Sequence, residues 1–255
     1  MSFQAKTEGL FERSHILLED EGIAKLQASH VLICGLGGVG GHASEALARA
    51  GVGRITLVDH DQVSPSNLNR QLVATRETIG QPKAQVMAQR IRSITLDTEV
   101  DAREQFIKPE NIPALLEELQ PDWVLDAIDS LNCKVGLIVE AMERQLPIVS
   151  SMGAGGRLDP TQLQVSDLMD TEGCPLAREV RKRSRRRGVG RGVRCVWSRE
   201  PAKAPLPPEP VSMPGDVPGQ PGRPRAVNGT ISYMPSLFGL TLAGLIVQQL
   251  VQQNP

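Results

Sequence analysis

No C-x-x-C pair occurs in this sequence, and its four cysteines, Cys34, Cys133, Cys174 and Cys195, lie far apart. That spacing argues against a zinc site and against a disulfide scaffold. The N-terminal stretch MSFQAKTEGLFERSH has no apolar core of the kind a signal peptide needs, so cytoplasmic placement is expected. Residues 226–255 carry no charge, yet the apolar run LFGLTLAGLIV is only eleven residues long. A membrane span needs about twenty, and no basic anchor follows. A buried core or dimer helix is therefore expected, with peripheral membrane contact as the alternative.

Acidic residues are almost missing from one segment. Arg178 to Arg199 holds ten Lys/Arg and a single acid, Glu179, while the remainder carries eighteen basic and twenty-eight acidic residues. A basic island on an acidic body points to a polyanionic partner. Aromatics are scarce in the island too, so backbone and shape rather than base stacking would be read there. The expected docking residues are Arg181, Lys182, Arg183, Arg185, Arg186 and Arg187.

Present instead is a regular alternation. Leu10 to Leu26 reads as an amphipathic helix, HVLICGLGG as a buried strand entering a glycine turn, and VGGHASEALARAG as the helix behind it. Strands RITLVDHD, DTEVDAREQ, DWVLDAID and PIVSSMG then alternate with helices of ten or more residues. This pattern predicts an α/β fold with a doubly wound, mainly parallel sheet of Rossmann-like type. After Gly153 the alternation stops, and a C-terminal extension of mixed strands and a final helix is expected. GGRLDPTQLQVSDL suggests a hairpin turning at Asp159-Pro160, and VRCVWS a short strand. Nine prolines and three glycines between 201 and 224 predict a loop over 201–225. The chain is read as a single domain over 1–255, with a nucleotide-binding half (1–150) and a substrate-side half (151–255).

Gly35, Gly37, Gly38 and Gly40 stand at the first strand-to-helix junction, where glycines let backbone approach phosphate. Asp59 ends the next strand, suited to a ribose hydroxyl. Up to that point a dehydrogenase fits equally well. The segment DHDQVSPSNLNRQ then supplies Asp61, Asn67, Asn69, Arg70 and Gln71, and GQPKAQ presents Lys83. Added cations suit a triphosphate better than a dinucleotide, with Arg70 and Lys83 facing the β- and γ-phosphates. Asp126 and Asp129 end the fourth strand, and a carboxylate facing phosphates suggests Mg2+ between them. Asp129, further out, is the better candidate, while Asp126 could cap a helix or pair locally. Cys133 begins a helix near this site, where a helix N-terminus would favour the thiolate.

G-x-G-G-x-G, D-x-D, N-x-N-R-Q, G-x-x-K and D-x-x-D together resemble the ubiquitin-activating-enzyme-like adenylating family, which includes the ThiF and MoeB proteins. The resemblance implies that ATP adenylates a carboxylate and releases pyrophosphate. It makes Gly35, Gly37, Gly38, Gly40, Asp59, Asp61, Asn69, Arg70 and Lys83 ATP-binding residues and Asp129 the magnesium ligand. Arg13, Arg70, Lys83 and Asp129 become the catalytic set, with Arg13 reaching ATP across a homodimer. GAGGRLDPTQLQVSDL, PLAREVRKRSRRR, RCVWS and the final PSLFGLTLAGLIV are similar to the tRNA threonylcarbamoyladenosine dehydratases within that family. This implies ATP-dependent cyclisation of the threonylcarbamoyl group beside the anticodon, and tRNA rather than DNA as the polyanion. Relatives of this type often carry a cysteine before the last helix, linked to a sulfur-transfer partner. Here AVNGTISYMPS has none, which weakens the implied link to a cysteine desulfurase.

Other readings stay open on sequence. An activator of a ubiquitin-like sulfur-carrier protein with a Gly-Gly tail would share the ATP chemistry, although such members usually carry paired zinc cysteines. An NAD-dependent oxidoreductase is disfavoured by Arg70, Lys83 and Asp129, and a non-catalytic nucleotide-binding scaffold by the intact polar set.

Overall fold

His30–Cys34 (β1) is buried along its whole length, as a strand covered on both faces must be. In the computed structural model, which describes residues 9–206 and 228–252, β1 lies near the middle of a seven-stranded sheet. Its neighbours are β2 (Arg54–Val58), β3 (Glu99–Arg103), β4 (Trp123–Asp126), β5 (Ile148–Ser151), β6 (Leu163–Asp167) and β7 (Arg194–Ser198). The order is β3-β2-β1-β4-β5-β7-β6, parallel throughout except for the antiparallel β6–β7 pair. The sequence feeds β2 to one side of β1 and β4 to the other. Such a switch point opens a crevice at the strands' carboxyl ends.

Helices cover both faces. One core joins α1 (Glu12–Gln27), α2 (Gly40–Ala50), α3 (Lys83–Ile94) and α7 (Tyr233–Gln252) to the sheet through Leu26, Leu47, Met87, Ile91 and Phe238. The other joins α4 (Ile112–Leu119), α5 (Leu131–Glu143) and α6 (Pro175–Arg186) through Leu115, Leu137, Ile138 and Val180. The doubly wound α/β expectation and the final helix are both met.

α7 is long and apolar enough to cross a membrane by length and composition. Its buried residues, Met234, Phe238, Leu242, Leu245 and Ile246 among them, recur every three to four positions and face the core. A Cβ on Gly239 would lie 2.2 Å from the Val39 carbonyl, so the lack of a side chain lets α7 cross the start of α2 closely. The charge-free C-terminus therefore builds a core helix.

Two expectations need correction. Asp159-Pro160 does not turn a hairpin. Asp159 caps a short 3-10 turn over Pro160–Gln162, and β6 pairs with β7, some thirty residues on. Register is set there by burial of β7 rather than by the local turn. The N-terminal helix is also broken at Glu19, whose φ of 58° and ψ of −178° divide α1 into two helical pieces. Most of the expected proline-rich loop, from residue 207 on, lies outside the described residues.

Candidate active site

A cavity of about 640 Å³ opens at the carboxyl ends of β1, β2, β4 and β5. Gly35, Gly37 and Gly38 line it, as do Asp59, Asp61, Arg70, Lys83 and Asp129. Tertiary structure thus brings residues that follow β1, β2 and β4 to one volume. Gly40, Asn69 and Arg13 do not line it. A Cβ on Gly40 would sit 1.8 Å from the Gly35 carbonyl, so the missing side chain permits the tight strand-to-helix turn that opens α2. Arg13 is exposed on α1, away from the cavity of its own chain.

Asp59 is nearly buried, with its carboxylate turned onto the loop. Oδ2 accepts from the Leu36 N–H at 2.6 Å and Oδ1 from the Asp61 N–H at 2.8 Å. Its first role is to hold the glycine turn, and the outer lone pairs are left for a ligand. Lys83 opens α3 and is also nearly buried. Its Nζ donates to Asp61 Oδ2 at 2.9 Å, which neutralises a cation the fold would otherwise desolvate. Asp59, His60 and Asp61 bring potential ligand atoms within 4.8 Å of one another, yet the Asp59 oxygens accept backbone N–H groups and Asp61 pairs with Lys83. Asp59 and Asp61 are thus hydrogen-bonded, and His60 Nε2 lies 3.2 Å from Asp61 Oδ1.

Arg70 is partly buried beside the glycine loop, and burial pulls its pKa down from the ordinary value. Arginine stays cationic regardless. Its Nη1 donates to the Ser66 carbonyl at 2.7 Å and to Asn69 Oδ1 at 2.9 Å. Asn69 Nδ2 in turn donates to the Thr230 carbonyl at 2.8 Å. Asn69 therefore orients Arg70 and ties this segment to the chain just before α7. Asn67 Oδ1 accepts from the Ser64 N–H and fixes the 3-10 turn Pro65–Asn67.

Asp126 and Asp129 differ in kind. Asp126 is wholly buried, with Oδ2 accepting from Lys134 Nζ at 2.7 Å and from Ser150 Oγ at 2.6 Å. Lys134, buried in the first turn of α5, had no signal in the sequence. Asp129 lines the cavity.

Reading by sequence also missed Arg157, Phe106 and His60 on the cavity wall. The rings of His60 and Phe106 meet edge to face with centroids 4.4 Å apart. Cys133 and Cys174 line the cavity as buried free thiols, with Cys174 at the N-cap of α6. Cys34 and Cys195 lie deeper, where burial pushes both thiols well up.

The basic island forms α6 and the loop to β7. Lys182, Arg183, Arg186 and Arg187 border a second groove of about 410 Å³ with Asn132 and Glu179. Arg181 is turned partly inward, and its Nη1 donates to Thr171 Oγ1 at 2.7 Å. Arg191 pairs with Asp170. Arg185, Arg186 and Arg187 are exposed.

Residues 11–255 match the ThiF family. The tRNA threonylcarbamoyladenosine dehydratase of Bacillus subtilis is 36% identical over 249 residues, covering 95% of this chain and 94% of the relative. The crystal structure of the E. coli tRNA N6-threonylcarbamoyladenosine dehydratase in complex with ATP superposes with a TM-score of 0.81 at 35% identity, covering 94% of this chain and 93% of that one. The sulfur carrier protein ThiS adenylyltransferase of E. coli is 38% identical, but over 148 residues, 56% of this chain and 58% of its own.

Proposed function

The chain belongs to the ThiF family, and from that premise we propose that it dehydrates threonylcarbamoyladenosine in tRNA, using ATP. The extent of the match carries this reading. Similarity to the dehydratases runs through both halves, whereas similarity to the sulfur-carrier adenylyltransferase covers little more than half of the chain. The substrate half also carries the basic helix α6, whose exposed arginines suit a nucleic-acid backbone.

One adenylating unit would then combine a nucleotide half, 1–150, with a substrate half, 151–255. ATP lies along the glycine loop, where backbone N–H groups at the start of α2 face phosphate. Arg70 and Lys83 offset the charge that grows on the departing pyrophosphate. Asp59 faces the ribose, and the His60–Phe106 edge offers the base an apolar wall. A carboxylate oxygen of the threonylcarbamoyl group attacks the α-phosphorus, and the bond to pyrophosphate breaks. The carbamoyl nitrogen then attacks the activated acyl carbon, loses its proton and expels AMP. The substrate has lost one water, whose oxygen leaves on AMP.

A magnesium ion fits the donor set. Asp129 supplies a carboxylate on the wall shared with Arg70 and Lys83, while Asp126 is engaged by Lys134. Such an ion takes carboxylate and phosphate oxygens together and would neutralise phosphate charge. A homodimer is the proposed assembly. α1 exposes Ile16 and Leu17, 58% and 83% accessible, beside Arg13, and a second copy covering them would carry Arg13 toward its neighbour's cavity. The packing of α7 into the core supports a cytoplasmic protein, and the exposed arginines of α6 support tRNA as the partner.

The test is AMP and pyrophosphate release from ATP with threonylcarbamoylated tRNA, with loss of one water from the modified nucleoside read by mass. AMP formation that responds to a Gly-Gly-tailed carrier protein and ignores the tRNA would favour the sulfur-carrier alternative.

A further inference from the structure

Arg157 is 3% exposed and lines the cavity, yet it is only half satisfied. Its Nη1 donates to the Gly153 carbonyl at 2.5 Å and the Gly155 carbonyl at 2.9 Å. Its Nε and Nη2 are buried and have no hydrogen-bond partner among the described residues. No carboxylate among those residues pairs with the guanidinium either. A desolvated cation with open donors is unfavourable unless something else completes it. Nε–H and Nη2–H are the two parallel donors on one edge of a guanidinium, the fork that takes both oxygens of a carboxylate or two oxygens of a phosphate. Meanwhile Nη1, clamped by two carbonyls, fixes the plane of the fork.

Placement decides between those two anions. Arg70 and Lys83 come from segments after β2 and lie on the nucleotide side. Arg157 follows β5, two strands from β1 in the sheet order. Gly153 and Gly155 hold its Nη1, and a Cβ on Gly153 would meet both Arg157 Nη1 at 3.4 Å and the Sγ of Cys174, the N-cap of basic α6, at 3.7 Å. Arg157 thus stands beside the start of α6, and a substrate docked on α6 would bring its carboxylate to this flank of the cavity. Resting on the function proposed above, we infer that Arg157 is the specificity-determining residue that receives the substrate's carboxylate and holds it for attack on ATP.

The test compares wild type with Arg157→Gln and Arg157→Lys, each checked for a native melting transition. Affinity is measured for ATP alone, for threonylcarbamoylated tRNA, and for the same tRNA with its carboxylate converted to the methyl ester. Wild type should prefer the acid over the ester. Arg157→Gln should lose that preference and raise KM for the acid by roughly ten- to a hundredfold, the worth of a charge-assisted hydrogen bond. ATP affinity should be unchanged. Arg157→Lys, which keeps charge without the fork, should recover part of the preference and also covers a glutamine variant that fails to fold. Weakened ATP binding with intact acid-over-ester preference would assign the fork to phosphate and overturn the inference. Unaltered behaviour in folded variants would make Arg157 purely structural and overturn it too. A wild-type protein that makes no AMP with this tRNA would remove the functional reading, and this inference with it.

Discussion

Lys83 Nζ lies 2.9 Å from Asp61 Oδ2, with the lysine side chain 6% exposed and the aspartate 52%. The pair is a buried cation held by a carboxylate that keeps contact with water. Arrival of a triphosphate would offer Lys83 a second anion without a large rearrangement. Lys83→Met keeps the packed stem and removes the charge. It should lower AMP formation about a hundred- to a thousandfold, the usual cost of one such donor. The half-open Asp61 stays hydrated, so the melting temperature should hardly move. Steady-state AMP release near the wild-type rate would rule out a phosphate role.

Arg13 and Lys83 lie in different places of one chain, the first outside the cavity and the second on its wall. In a dimer with shared sites, Arg13→Ala and Lys83→Met subunits damage different halves of each composite pocket. Mixing the two inactive variants should restore part of the activity. Verified mixed dimers with no recovery would place Arg13 in the service of its own subunit.

The exposed Arg185, Arg186 and Arg187 should neutralise phosphates of the tRNA backbone. Replacing all three by alanine should raise the tRNA dissociation constant and reduce the log–log salt slope by about 0.7–0.9 for each phosphate no longer neutralised. ATP binding should stay as it was. Titrations over a range of salt decide the matter, and an unchanged slope would move the RNA surface elsewhere.

Lys134 and Asp126 form a wholly buried pair at 2.7 Å, joined by Ser150. Lys134→Met leaves a buried carboxylate without its cation and should cost about 3–5 kcal/mol in equilibrium unfolding. The double variant Asp126→Asn, Lys134→Met should cost less than the sum of the singles. Additive losses in the denaturant titrations would show that the two charges are not coupled.

His30 predicts a pH dependence. Burial, then the nearby Arg54 charge, lowers its pKa below the ordinary 6.5, and its Nε2 meets Thr56 Oγ1 at 2.9 Å. The unfolded chain therefore binds a proton at pH values where the folded one does not. Stability from this group is complete above about pH 6.5 and falls as pH drops toward the lowered folded value. His30→Gln should flatten the fall of melting temperature across that interval. A wild-type curve with no slope there would contradict the assignment.

Local pattern determined a good deal. Apolar runs, glycine turns and helical periodicity were enough for the doubly wound sheet and for the glycine loop, because each depends on residues close together in the chain. The polar residues after β2 were legible as a group for the same reason, and with the glycines they carried the resemblance to an adenylating family. Their individual roles were not legible. Gly40 and Asn69 look equivalent to Gly38 and Arg70 in the sequence, yet the first closes a turn against Gly35 and the second reaches Thr230, 161 residues away.

Long-range pairing decided the rest. The Asp159-Pro160 turn signal was real but led to β7 instead of a neighbouring strand, since the pairing of β6 is fixed by which strand edge the sheet leaves open. Lys134 reads as an ordinary surface lysine until β4 and β5 bring Asp126 and Ser150 to its ammonium. Arg157 reads as a loop arginine until burial strips it of water and leaves two donors open. Burial and partnership of a charge depend on chain segments that meet only in the folded state. Tertiary structure alone could therefore separate the charges that hold this protein together from those that face its ligands.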